Sequence, residues 1–313
     1  MKTKFLSLLT AFSLSILLWG CPGSKSGSDA VDLKFNLEKG KTYVYNMKTH
    51  FDMTMDMMGK KMNTGGDADF GFSMKVDDVD AQGNRMLSST YDAIRFKVNA
   101  MGMDMGYDSK NVGDTTKENM MSGMFRKIFS GMLGKTFKMT MSPAGDVSKI
   151  EGLKEMVQSM EDHMNVPEAM REQMKKQMEQ SFNDEQIKQS FQQGFGFYPG
   201  KPVKVGDSWT KNMNRNMNSM SMNMDTKYTV KEIQDNAVVL DIAGTISSLV
   251  GKDSSSAMKG MDMKGDMKGT MEIERTTGLS KKGTMDMTMK ITAPGMVQPM
   301  DMKSTITIEG KQQ

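Results

Sequence analysis

The sequence predicts an α+β chain, mainly β: a duplicated curved antiparallel sheet or open barrel with a helical insert between the halves. Three observations predict it. Apolar and polar residues alternate with period two through most of the chain. A period of four replaces it between residues 150 and 198. Landmarks from the first β-rich stretch recur in order in the second.

Taken in chain order, residues 1–20 read as a lipoprotein signal peptide. Lys2 and Lys4 form a positive n-region and Phe5 to Leu18 an apolar h-region, shorter than the roughly 20 residues a spanning helix needs. The segment closes on Ser15-Ile16-Leu17-Leu18-Trp19-Gly20-Cys21, and Cys21 is the only cysteine. A small residue before a lone Cys after an apolar run resembles a bacterial lipobox. The resemblance implies that Cys21 is acylated (palmitate or a related chain) and becomes the new N-terminus. Trp19 stands where a small residue is usual. Several acyl chains, at about 0.8 kcal/mol per buried CH₂, make a stable anchor. No thiol then remains for disulfides, thiolate metal sites or covalent catalysis. Residues 21–32, rich in Gly and Ser, read as a flexible tether.

Residues 33–149 form the first β-rich half. "TYVYNMKTHF", "DAIRFKVN" and "TFKMTM" each alternate, and Gly, Asn, Asp and Pro punctuate them as turns. Residues 150–198 are the helical insert. Met156, Met160 and Met164 are four apart, as are Met170, Met174 and Met178, so each trio lies on one helix face. Pro167 suits a helix start, and Asn183 suits the N-cap of a third helix. Residues 199–313 form the second half, with "TMDMTMKIT" and "STITIEG" as further alternating runs. Gly40 aligns with Gly206, Tyr43 with Trp209, and Asn46-Met47 with Asn212-Met213. Hairpin-like stretches at 72–87 and 134–150 match those at 228–240 and 268–285.

The formal net charge is +3, and removing Lys2 and Lys4 leaves it near +1. A near-neutral chain with both signs interspersed has no electrostatic reason to bind nucleic acid.

The 40 methionines raise a choice between chemistry and packing. Thioethers are soft ligands suited to Cu(I) or Ag(I). Met47, His50, Met53, Met55 and Met57 form the candidate metal set, with the sulfurs of Met53, Met55 and Met57 on one strand face and His50 close by. Packing explains more, because Met follows period two in strands and period four in helices. An adaptable apolar filler does this everywhere; a ligand set concentrates at one place.

No catalytic constellation appears. Gly206-Asp207-Ser208-Trp209 resembles an esterase block, but no His follows His163 to activate the serine. Asp78, Asp80 and Gly83 imitate a calcium loop, yet Ser89 replaces its bidentate Glu. There is no phosphate loop, dinucleotide fingerprint or zinc-protease motif. The reading is non-enzymatic and needs no cofactor.

The lipobox, the Tyr45-Asn46-Met47 run after a Gly turn, Val205 to Trp209 before a long strand, and the helical insert together resemble a family of bacterial envelope lipoproteins of unknown function. The resemblance spans nearly the whole mature chain and brings no catalytic residues. In architecture alone the chain is similar to lipoprotein carriers built as a curved antiparallel sheet over helices. The resulting expectation is a non-enzymatic envelope lipoprotein, held to the membrane through Cys21. Pro22 after the Cys favours the outer membrane, with the protein facing the periplasm. Its partner would be a lipid or other apolar molecule in a Met-lined cavity. The alternatives are a Cu(I)/Ag(I)-binding lipoprotein and a structural envelope protein.

Overall fold

A computed structural model describes residues 30–313 except 58–59, 101, 112, 114–118, 164–167, 218–219, 250–260, 295 and 297. Cys21, the signal peptide and most of the tether lie outside the described residues, as do Met164 and Pro167.

The alternating runs fold as strands. In the first half these are β1 (Thr42–Met57), β2 (Lys60–Val79), β3 (Arg85–Ala100), β4 (Met103–Asp108), β5 (Thr136–Met141) and β6 (Val147–Glu151). The second half adds β7 (Ser208–Met217), β8 (Met220–Ile233), β9 (Ala237–Leu249), β10 (Asp262–Glu274), β11 (Ser280–Thr292) and β12 (Met300–Gln312). All twelve join one open antiparallel sheet in the order β6-β5-β3-β2-β1-β12-β11-β10-β9-β8-β7, with β4 paired to β3. The last strand closes on the first, so the two halves share one continuous sheet.

Turn chemistry sets the hairpins. Asp80 accepts from the amides of Gln82 and Asn84 and from the Asn84 side chain, tying the β2–β3 turn; the Asp-rich loop is a hairpin. Gly206 and Asp207 form the turn into β7, where the Asp207 carboxylate accepts from the Lys204 amide at 2.9 Å.

Between the sheet's outer strands lies the helical insert: α2 (Leu153–His163), α3 (Glu168–Ser181) and α4 (Asp184–Phe195). Met156 and Met160 are buried on α2, and Met178 on α3, as the four-residue spacing predicts. Asn183 caps α4 by accepting from the Gln186 amide at 3.0 Å. A further helix, α1 (Met120–Ser130), sits inside the stretch read from sequence as wholly β-rich. Asn119 caps it, and Phe125 and Phe129, one turn apart, pack on Phe96 of β3.

The stretch before β1 is not slack. Val31 bridges Val203, the Phe35 amide donates to Pro143 O, and the Asn36 amide donates to Thr277 O. Leu33, Phe35 and Leu37 are 0–1% exposed, so this extended strap crosses both halves and belongs to the core. Its alternation resembles a strand's, yet it pairs through scattered hydrogen bonds rather than a ladder. Arg85, itself buried, holds it down by donating to Leu37 O at 3.3 Å and to the Asn36 side chain.

Candidate functional site

Antiparallel pairing turns each strand's alternation into rows that cross the sheet. On one face a row reads Met224, Ile246, Gly265, Met289, Met302 and Met53. The next reads Thr226, Gly244, Met267, Met287, Ser304 and Phe51. The opposite face is polar: Asp225, Thr245, Asp266, Thr288, Lys303 and Asp52 share a row there. Methionine is therefore the principal side chain of one face, and the charges sit on the other.

Glycines on the Met face show how those side chains pack. A β-carbon added at Gly265 would lie 2.7 Å from Met289 Cγ. One at Gly244 would lie 3.0 and 3.1 Å from Met267 Cγ and Sδ. A neighbouring strand's carbonyl would be nearer still, at 2.4 Å in both cases (Thr288 O and Asp225 O), so close strand approach excludes a side chain there and the Met chains lie alongside. That is the behaviour of flexible filler.

The proposed metal set is divided by the same alternation. Met47, Met53 and Met55 face the apolar side, while His50 is three residues from each of Met47 and Met53 and so lies on the polar side. The expectation that His50 sits beside the sulfurs is corrected by this parity. The imidazole instead meets Asp67 at 2.9 Å through Nδ1 and Asp52 at 3.2 Å through Nε2. Met47 pairs with Ile308 and Phe70, three rows from Met53, and the Met57 side chain lies outside the described residues.

The Asp67 hydrogen bond, aided by Asp52, raises the His50 pKa above the usual 6.5. A group whose folded pKa is raised adds stability below its unfolded pKa, and loses that contribution as pH rises through the folded value. At this exposed site the stability term is small. An NMR titration should place the His50 midpoint above 6.5, and Asp67→Asn should move it down.

Helix α4 lies on the apolar face. Phe191 meets Phe72 edge-on at 5.9 Å and Phe137 at 5.7 Å, and Phe195 meets Tyr45 at 5.2 Å. Beneath the helix, α1 and strands β1, β2, β3, β11 and β12 line with it a half-open cavity of about 280 Å³. Eight of the fourteen described residues that line it are aromatic, Phe70, Phe72, Tyr91 and Phe129 among them. Among the described residues only Met47 and Met132 supply sulfur to it, so the expected Met-lined cavity is an aromatic one. A smaller void of about 80 Å³ adjoins it, sharing Gly194 and Ile308, and here Met213, Met224, Met267, Met271 and Met285 do line the wall. Beyond it the outer Met rows are half-buried: Met53, Met289 and Met302 are neither sealed in nor fully exposed.

The larger cavity carries few polar groups and, among the described residues, no charged one. Burial drives the Tyr45 hydroxyl well above the ordinary phenol range, and the Ser280 backbone beside it offsets part of the rise. Burial also pushes Tyr91 up to about 12. Both phenols on this wall therefore remain protonated at neutral pH.

A family described as of unknown function, DUF6263, matches residues 82–280, from the β2–β3 turn to the start of β11. The chain belongs to the DUF6263 family. The matched region takes in α1 to α4 and, of the cavity's strand residues, Tyr91 and Ser280; Tyr45, Met47, Phe70 and Phe72 precede it and Ile308 follows it. No curated protein matches this DUF6263 chain. Among solved structures, a lipovitellin chain studied for lipid–protein interactions is similar at 10% identity and a TM-score of 0.49. That similarity covers 88% of this chain and 26% of lipovitellin, so the chain spans about a quarter of that protein's length. The translocator domain of the autotransporter NalP from Neisseria meningitidis follows at 8% identity and 0.35, over 88% of this chain and 90% of that one. An outer membrane channel of Pseudomonas putida F1 follows at 8% and 0.25, over 90% and 98%. Scores this low assign neither fold nor function. Among the described residues no helix is long and apolar enough to cross a membrane.

Proposed function

We propose that this DUF6263 protein is a non-enzymatic envelope lipoprotein, anchored through Cys21 at the outer membrane and facing the periplasm, that holds an apolar molecule between its helical cap and the sheet. The observation that carries the reading is the 280 Å³ aromatic cavity under α4, continuous in its lining with the Met-lined void beside it. Ligand pockets are concave and mostly apolar, with a few placed polar groups. A half-buried field of thioethers next to such a cavity can repack around varied apolar shapes.

The same reading takes the two halves as copies of one unit, and the turn chemistry supports it. Gly40 and Gly206, at φ 80° and 88°, donate to Val76 O and Val230 O, each at 2.8 Å. The Val76 and Val230 amides return hydrogen bonds to Lys41 O and Asp207 O at 2.9 Å. Each half thus begins its first strand against its second through the same exchange.

Native mass spectrometry of protein purified from envelopes should show two kinds of added mass. One is covalent, on the N-terminal peptide containing Cys21, and Cys21→Ser should remove it and release the protein from the membrane fraction. The other is non-covalent and lost on organic extraction. In the extracted protein, the fluorescence of an apolar dye such as phenylnaphthylamine should rise saturably. Absence of both the extractable mass and dye binding would defeat the ligand reading.

A further inference from the structure

The smaller, Met-lined void carries a charge that the larger cavity lacks. Lys211 lies on β7, the last strand of the sheet, between Trp209 and Met213, and lines this void. Residues two apart on a strand share a face, so Lys211 stands on the apolar face. Burial agrees: Trp209, Lys211 and Met213 are half-buried, while Ser208, Thr210 and Asn212 are exposed. A lysine on an apolar face keeps its ammonium in water or gives it a partner. Among the described residues no carboxylate pairs with it. Asp225, one step away in the register, lies on the opposite face and accepts there from Asn212 and Asn223. Among the described residues no other side chain lining either void is charged.

The donors beside Lys211 are spent on sulfur. Thr226, its register partner on β8, donates to Met267 Sδ at 3.7 Å. Gln193 of α4 donates its side-chain amide to Met224 Sδ at 3.8 Å. Thioether sulfur is a weak acceptor. An ammonium, an amide and a hydroxyl thus meet in one corner of the void, with no carboxylate facing them among the described residues. Such a corner favours an anionic oxygen ligand through charge-assisted hydrogen bonds. The same ammonium repels a metal cation from the sulfurs around it.

Gly194 joins this corner to the aromatic cavity. It lines both voids, and a β-carbon added to it would meet nothing within 4 Å. The helix therefore leaves open space where the two linings meet. From Lys211 on β7 to Ile308 on β12, which also lines both, there are five strand spacings, about 24 Å. The void along this path is only about 80 Å³, room for a slender chain and not for a body of several rings.

We infer that the ligand is a single-chain apolar carboxylate, its tail running under α4 into the aromatic cavity and its carboxylate held at Lys211 and Gln193. This rests on the cavity reading above and narrows it from apolar molecules in general to anionic amphiphiles.

Displacement of phenylnaphthylamine from the extracted mature protein tests it with three ligands of one chain length: myristate, tetradecanol and tetradecyltrimethylammonium, each below its micelle concentration. Myristate should displace the dye at the lowest concentration and tetradecyltrimethylammonium at the highest. Lys211→Met should weaken myristate about tenfold, the equivalent of one charge-assisted hydrogen bond, and leave tetradecanol within about twofold. The unchanged tetradecanol affinity also reports that the variant is folded. Lys211→Arg keeps the charge and should restore most of the myristate affinity. Added salt should weaken myristate relative to tetradecanol in the parent protein and not in Lys211→Met. Equal losses of myristate and tetradecanol in Lys211→Met, or displacement by the cation as strong as by myristate, would overturn the inference while leaving an apolar site. A parent protein that binds neither the dye nor any of the three would remove the cavity reading itself.

Discussion

Gly278→Ala should cost about 3–5 kcal/mol of stability, whereas Gly206→Ala should cost about 1–2. Both glycines have positive φ, 72° and 88°, so both substitutions carry the left-handed penalty of an L-residue. They differ in what the new methyl group meets. At Gly206 nothing lies within 4 Å. At Gly278 the carbon would sit 2.0 Å from Lys34 O and 3.1 Å from Tyr198 Cε1. Lys34 belongs to the N-terminal strap and Tyr198 to the turn after α4, whose hydroxyl donates to Gly278 O at 2.8 Å. The methyl group would therefore push apart the strap, the β10–β11 turn and the helical insert together. Gly145 lies in the β5–β6 turn, and a β-carbon there would lie 1.9 Å from Phe195 O. Urea denaturation of Gly278→Ala and Gly206→Ala checks the contrast. Equal costs would mean that the strap is not clamped at this turn.

The N-terminal strap and the strands differ in how much of them one sequence carries. The strands were legible because period two is a local signal, and each alternating run quoted above lies within a strand. The helices α2 to α4 were legible for the same reason at period four, with Asn183 marking the start of α4. Helix α1 was missed although Asn119, Met121, Phe125 and Phe129 carry the same signal, because Met-rich strands flank it. The strap fails differently: Val31, Leu33, Phe35 and Leu37 alternate like a strand, but its partners, Pro143, Val203 and Thr277, are far away in the chain. Only the fold brings them together. The closure of β12 on β1 is nonlocal in the same sense.

For the candidate site the lesson is sharper. The separation of His50 from Met47 and Met53 was available in the numbering, since an odd offset along a strand changes the face. The rows of methionine were not, because register across six strands depends on every hairpin between them and on the pairing of β12 with β1. The cavity was less legible still. Its aromatic wall is assembled from β1, β2, β3, α1 and α4, and methionine's abundance pointed to the wrong lining. Methionine side chains instead lie beside glycines on the open part of the face, at Gly244 and Gly265.

Phe191→Ala should lower stability by about 3–5 kcal/mol, the usual cost of removing a buried phenyl ring. The position is expected to lie at the upper part of that range. Phe191 contacts Phe72 of β2, Phe137 of β5 and Phe195 one turn later on its own helix, so its loss opens the joint that holds α4 to the sheet. Lys188, on the same helix with its side chain half-exposed, should change stability by less than about 0.5 kcal/mol when replaced by Ala. Because Phe191 also lines the 280 Å³ cavity, its removal enlarges a space that already exists instead of creating an isolated void. An apolar probe able to fill the gap should then recover part of the loss, about 2.7 kcal/mol at a hundredfold excess over its dissociation constant. Thermal denaturation of Phe191→Ala with and without acetylnaphthalene measures both effects. A large loss with no recovery would mean that α4 detaches and the cavity no longer exists in the variant. A loss under about 1 kcal/mol would mean that the helix is not held to the sheet by this ring.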